Sequence, residues 1–421
     1  MSFKINNSKF LHILLFIIAF GILIGSGSLY RYAYNYNLIM FMTMLVMASV
    51  IFYQIFIPVN NSGGDVNLIS NSYDINYSGL ILLMFFIFFP IMSDVINQVT
   101  SYEITYFHIA MLLLTFLLGV QSREKILTYY LKLMVIFSFI SLFYFFIELL
   151  FELPSFVPYY GIALPKWSHF YYVWSIPSTP TIIIRNQSIF WEPGAFGFHL
   201  IISTLLAYKA KNKLFITLLL ITCLTTMSTT VYIFLFLLVM YQLFWGKNKI
   251  MFISRMFFSL IIILVMIRLI FGDFEIPLLL LGVITEKFSP SSGAYASMEE
   301  RNLYVFESLK LFLDNLIIGA GHYSTAVELE NIGSETSALA GLLAELGLIG
   351  ALCILLYVRF FKHFRLVALP IALIWLNGEY LQYAPISLFI LTHMIDESGQ
   401  KLFPYDSKIT ANNTIQHISH T

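Results

Sequence analysis

Apolar runs of membrane-spanning length recur along this chain from Phe10 to Ile395, separated by short polar or basic stretches. A bilayer core takes roughly 20 apolar residues of helix. A helix also satisfies its own backbone donors and acceptors, which lipid cannot do. The pattern therefore predicts an all-α fold, a polytopic transmembrane helix bundle in which residues 1–421 form a single integral membrane domain. The first four spans are expected near 10–26, 37–57, 79–96 and 104–120.

Basic clusters order the rest. Ser122–Lys125, Lys209–Lys213, Lys247–Arg255 and Arg359–Arg365 are rich in Lys and Arg, and such clusters stay on the cytoplasmic side. Placing all four inside requires an even number of crossings between neighbours. Spans near 126–150 and 189–207 then flank an outer loop, 152–188. Leu214–Gly246 must go out and back as two short helices around the turn Thr225–Thr230. A span near 254–271, an outer segment 272–336 and a span near 337–358 follow. Leu366–Ile395, broken by Asn377-Gly-Glu379, reads as a second short hairpin. The total is about twelve spans, with both termini inside. Residues 60–78 read as a flexible inner loop. Lys4 and Lys9 before Phe10–Ile24, with Gly25–Ser28 after it, would also suit a cleavable signal peptide. Cleavage would leave the remaining topology unchanged.

Composition agrees: 59% of residues are hydrophobic and only 11% charged, against about a quarter charged in soluble domains. The zero net charge gives no sign of a nucleic-acid partner. Cys223 and Cys353 fall in apolar runs and read as buried packing residues rather than a disulfide. Most of the 23 Lys and Arg lie inside, and the outer minority is Arg31, Lys166, Arg185, Arg268, Lys287, Arg301 and Lys310. A charge at membrane depth is costly and is a functional hypothesis by default. Arg185, followed by Glu192-Pro-Gly at the mouth of a span, draws attention for that reason.

The two long outer loops, both expected to be partly helical, carry the chemistry. The 152–188 loop is rich in Pro and aromatics, including Tyr159, Trp167, Tyr171 and Trp174. These residue types anchor at the membrane interface and also stack on sugars. Within 272–336, Ser297-Met-Glu-Glu300 is a capping-box pattern. After it, Leu303, Phe306, Leu309, Phe312 and Leu313 share one helical face, opposite Glu307, Lys310 and Asp314. This predicts an amphipathic helix lying flat on the outer surface. Arg301 near its start is not placed for the helix dipole. An anionic partner or a salt bridge to Glu299 or Glu300 would explain it. Gly319-Ala-Gly321-His322 can be an ordinary turn or a close approach to ligand. Glu345, inside the next apolar run, reads as a polar packing residue.

Arg185…Ile189-Phe-Trp-Glu192-Pro-Gly-Ala-Phe-Gly197 resembles the R-x-x-G-x-F-x-E-P-x-x-x-G signature of Wzy-type O-antigen and capsule polymerases, with Ser188 at the glycine position. A second block resembles the same superfamily, which includes the O-antigen ligases. It comprises Glu300-Arg301-Asn-Leu-Tyr304, Asn315…Gly319-Ala-Gly321 and Leu342–Gly350, with Leu316 where the pattern has Pro. The turn around Ser228 is also similar to one in the family.

The resemblance implies a glycosyltransferase in a bacterial inner membrane, with its active site on the periplasmic face. It would polymerise undecaprenyl-pyrophosphate-linked glycans into O-antigen or capsule. Membrane lipid, and a polysaccharide chain-length regulator, would be its other partners. Arg185 and Arg301 would bind pyrophosphate, since Arg offers always-charged bidentate contacts. Glu335 or His322 would be the general base. Glu192 would orient Arg185 or fix the bundle, and Trp191 and Tyr304 are candidate sugar contacts. No cofactor or metal is expected. Superfamily ligases carry a histidine where this chain has Ser334-Glu335. The rival readings are a ligase acting on lipid A–core and a flippase for lipid-linked oligosaccharide.

Overall fold

The structure, a computed structural model, describes residues 7–26, 28, 36–56, 77–97, 103–151, 167–170, 174–177, 185–190, 192–245, 254, 257, 293–321, 337–377, 381 and 384–402. The helices are α1 (Asn7–Gly25), α2 (Tyr36–Phe56), α3 (Tyr77–Ile96), α4 (Glu103–Leu117) and α5 (Val120–Phe151). They continue as α6 (Pro193–Lys209), α7 (Lys213–Thr225), α8 (Thr229–Trp245), α9 (Gly293–Asp314), α10 (Ala338–Leu346), α11 (Leu348–Phe360), α12 (Ala368–Asn377) and α13 (Pro385–Leu402). A short antiparallel hairpin, β1 (Trp167–Phe170) with β2 (Trp174–Pro177), lies within the 152–188 loop. That loop was expected to be partly helical, and this part is not.

Among the described residues, three helices are long and apolar enough to cross a membrane, over Leu38–Ile55, Gly79–Ile96 and Val120–Ile147. Their outward faces stay apolar. On α2, Leu38, Phe41, Leu45 and Phe52 are exposed, while Met40, Met47 and Val50 are buried. In water so large an apolar patch would demand a partner, and lipid is the partner that such helices take. The expected span at 254–271 lies outside the described residues, apart from 254 and 257.

Hydrogen bonds and ring contacts sort the helix ends into two groups. At one end Gln54 donates to Ser122 at 2.6 Å, Tyr208 and Tyr241 pack edge-on against Phe364, and Arg123 pairs with Asp396. This end carries the basic clusters Ser122–Lys125, Lys209–Lys213 and Arg359–Arg365, while Lys247–Arg255 lies outside the described residues apart from 254. At the opposite end Ser28 bridges Phe190, Asn186 bonds Thr225, and the Ser26 hydroxyl accepts from the Ile386 backbone. Between the two, Trp375 of α12 stacks on Phe198 of α6 at 4.6 Å. It also meets Tyr357 and Phe361 edge-on at 5.1 and 5.6 Å. Such ring geometries add about 1 kcal/mol each beyond area burial. Cys223 and Cys353 are buried and unbonded to each other, as packing residues would be.

Two expectations are corrected. The span placed near 126–150 begins at Val120, so the basic Ser122–Lys125 cluster is the first turn of α5 rather than a loop. The span placed near 337–358 is two helices that fold against each other. Gly347 breaks it at φ +57, with its amide bonded to the Leu343 carbonyl. A Cβ on Gly350 would stand 2.0 Å from the Leu342 carbonyl oxygen.

Candidate functional site

The Arg185 segment is a strap laid over the α7–α8 turn. The Asn186 amide donates to the Thr225 carbonyl at 3.0 Å, and its side chain bonds Thr225 Oγ1 at 2.8 Å and Ser141 Oγ at 3.2 Å. Asn186 Oδ1 accepts in turn from the Ser188 amide at 3.2 Å. That contact holds Ser188 at φ +52, the left-handed region, which favours glycine. The pattern's glycine position is thus the place where the strap must turn, and here an Asn side chain supports a serine in it.

Below the strap, Phe190 stacks on His199 at 4.4 Å. The His199 Nε2–H donates to the Ser26 carbonyl, which can only accept. Nδ1 is then free to accept from the Tyr130 hydroxyl at 2.6 Å. The ring is fixed in one tautomer, and the strap is anchored to α1, α5 and α6. Gly197 completes the seat, since a Cβ there would lie 2.3 Å from Val231 on α8.

Arg185 is half-buried on this seat. Its guanidinium donates to the Met227 carbonyl at 3.3 Å, and Tyr232 lies within electrostatic range of it. Glu192 is half-buried at the N-cap of α6, with extended backbone and Pro193 next in the helix. A carboxylate is stabilised there by the helix dipole, which suits the bundle-fixing role expected of it.

The second block docks elsewhere on the same end. The Ala320 and Gly321 amides donate to the Ala344 and Glu345 carbonyls at 2.8 and 3.1 Å. Asn97 Nδ2 donates to the Gly319 carbonyl at 3.2 Å. Gly319 has φ +81, and a Cβ on it would stand 2.2 Å from the Glu345 carbonyl oxygen. The close approach that Gly319 permits is therefore to the chain's own backbone rather than to a ligand. Gly319→Ala is expected to cost at least about 2 kcal/mol, from strain and overlap together. Gly119→Ala isolates the strain alone, because Gly119 has φ +70 and nothing within 4 Å. Thermal unfolding of the two variants in detergent should put Gly319→Ala clearly lower.

Beneath Gly321 lies a cavity of about 50 Å³ bordered by Asp94, His108, Ser93 and Glu345. Asp94 is 2% exposed and Glu345 fully buried. The volume suits a water or two and is too small for a sugar ring. Asp94 stands close under the turn, since a Cβ on Gly321 would lie 3.2 Å from its Oδ1. Sequence reasoning passed over Asp94 and His108. The available signal was an Asp near the end of an otherwise apolar span.

Tyr304 faces the protein interior. It is 1% exposed and packs α9 onto α10 against Ala340, so its ring does not face a sugar. The apolar face of α9 points outward, with Leu303, Phe306, Leu309 and Leu313 exposed. Lys310 and Glu307 form the expected i,i+3 pair at 3.6 Å. Arg301 lies on α9, but its side chain is outside the described residues, as are Trp191, His322 and Glu335. His322 directly follows Gly321 in the chain. The two blocks share one intermediary: α12 packs against both α8, beside the strap, and α10, beneath the turn.

Comparison with known proteins found no matching protein-family model, no matching curated protein and no matching solved structure.

Proposed function

We propose that this protein is a metal-independent glycosyltransferase that polymerises undecaprenyl-pyrophosphate-linked oligosaccharide repeat units at the periplasmic face of a bacterial inner membrane. Both termini would be cytoplasmic. One observation carries the reading. The Arg185 strap and the Gly319–Gly321 turn, more than a hundred residues apart in sequence, are both seated at the end of the bundle opposite the basic clusters. Arg185 held there, with Arg301 further along the chain on α9, suits a substrate that brings its own pyrophosphate.

In this reading a hydroxyl of one lipid-linked repeat attacks the anomeric carbon of another. The C–O bond to pyrophosphate breaks, undecaprenyl pyrophosphate leaves with the electron pair, and the hydroxyl proton passes to a base. Arg185 and Arg301 stabilise the charge growing on the leaving group. Glu335 or His322 takes the proton, and Glu192 holds the strap's entry into α6.

Incubating the purified protein with one defined lipid-linked repeat, then sizing the products, tests the proposal. A ladder of repeat multiples is expected. Unchanged starting repeat overturns the reading. Transfer only to added lipid A–core would make the protein a ligase, and turnover without a second compartment excludes a flippase.

A further inference from the structure

A second cavity, of about 400 Å³, opens at the basic end between α5, α6, α11 and α13. It belongs to no part of the site described above. Its polar rim holds Lys209, Arg359 and Lys362, with Glu124, His393 and Asp396. Lys209 and Lys362 are exposed and Arg359 is half-buried. Asp396 is bound to Arg123 within the protein, and Arg123 Nη1 also reaches the Thr392 carbonyl at 3.3 Å. Three cations therefore face one remaining rim carboxylate, Glu124. The other walls are apolar, formed by Leu205, Leu206, Phe360 and Met394 with Val120 at the exposed edge.

Lys209 and Arg359 each lie in the last turn of a helix, and cations are favoured there for the dipole alone. That explains each singly. It does not explain why two helix ends and Lys362 from the following turn converge on one hollow. The volume falls in the range of small-molecule sites. A guanidinium with two ammonium groups is the donor set that holds a phosphate. The apolar walls beside it suit the part of a lipid next to its headgroup, and basic hollows between membrane helices take anionic headgroups.

We infer that this cavity is a binding site for an anionic phosphate group, supplied by a membrane phospholipid headgroup or by free phosphate. It is independent of the proposed transferase reaction at the opposite end, so either can fail without the other.

The test uses the full-length protein in neutral detergent, titrated with phosphatidylglycerol, phosphatidylcholine or inorganic phosphate and followed by thermal unfolding. Phosphatidylglycerol or inorganic phosphate is expected to raise the midpoint saturably, and the one that does so identifies the source. The double variant Lys209→Gln with Lys362→Gln should weaken that response at least tenfold. Arg359→Gln should do the same, with Arg359→Lys intermediate. The double variant Lys211→Gln with Lys213→Gln removes the same charge from the same end but outside the cavity, and should leave the response intact. The proposal is overturned if neither phosphatidylglycerol nor phosphate acts, if phosphatidylcholine acts equally, or if the two double variants behave alike. Lys209 and Lys362 are surface residues, so their replacement leaves the fold in place to be measured.

Discussion

Arg185→Ala should reduce turnover on lipid-linked repeats by roughly 10²–10³-fold and leave glycan products at one or two repeats. Losing one preorganised cationic contact to a developing oxyanion costs about 3–4 kcal/mol of barrier, and each 1.4 kcal/mol is a factor of ten. The effect on folding should be far smaller. The guanidinium's hydrogen bond to the Met227 carbonyl is long, at 3.3 Å, and such a bond is worth about 1 kcal/mol. The strap keeps its anchors through Asn186 and Phe190. The diagnostic pattern is thus a large loss of turnover with a small shift in melting temperature. Arg185→Lys should retain part of the activity, since it keeps the charge but not the fork. Arg301→Ala should behave alike. If both arginines grip one pyrophosphate, the double variant will lose less than the product of the single losses. Unchanged chain length in both expressed single variants would remove the anion-clamp assignment.

The second large effect lies at the other end. Asp396→Ala should destabilise the protein by about 3–5 kcal/mol, because it leaves the Arg123 charge buried without its carboxylate. Arg123 is 1% exposed and Asp396 4%, so the pair is desolvated in the parent. The ring of Phe116, 5.8 Å from the guanidinium, offers only a weak substitute. The double variant Arg123→Met with Asp396→Leu should recover most of that loss, since matched apolar groups carry no desolvation cost. Thermal unfolding in detergent measures all three. A single variant that melts with the parent would show that the pair is not sealed from solvent. The pair joins the start of α5 to the end of α13, so its loss should loosen the basic end first.

Much of this was legible in the sequence. The hairpin forced between Lys213 and Lys247 appears as α7 and α8, with its turn at the expected Thr225–Thr230. The break at Asn377 separates α12 from α13. Burial of both cysteines followed from their apolar neighbours. The strap stood out because an arginine beside a span is rare enough to need a reason.

Other features were not legible, for physical reasons that differ. Gly347 is one of several glycines in an apolar run, and helices tolerate most of them. What singles it out is a positive φ, fixed by packing against Leu316 and Ile317. Tyr304 shares its helix with an apolar stripe, and only the fold shows that α10 covers the Tyr304 side and leaves the stripe exposed. Arg123 read as a topology marker, and only Asp396, 273 positions away, makes it a buried ion pair. Asp94 and His108 became a cluster only when the Gly319–Gly321 turn closed over them.

The sequence by itself determined that this is a chain of apolar helices, where most of them begin and end, and which short segments carry charge. Those properties are local, set by side-chain transfer energies and helix periodicity along one segment. The tertiary structure alone decided which helix faces meet, that the Arg185 strap rests on the Thr225 turn, and that three cations surround a hollow at the far end. Each depends on contacts between residues distant in the chain, and such contacts leave no periodic trace in either partner.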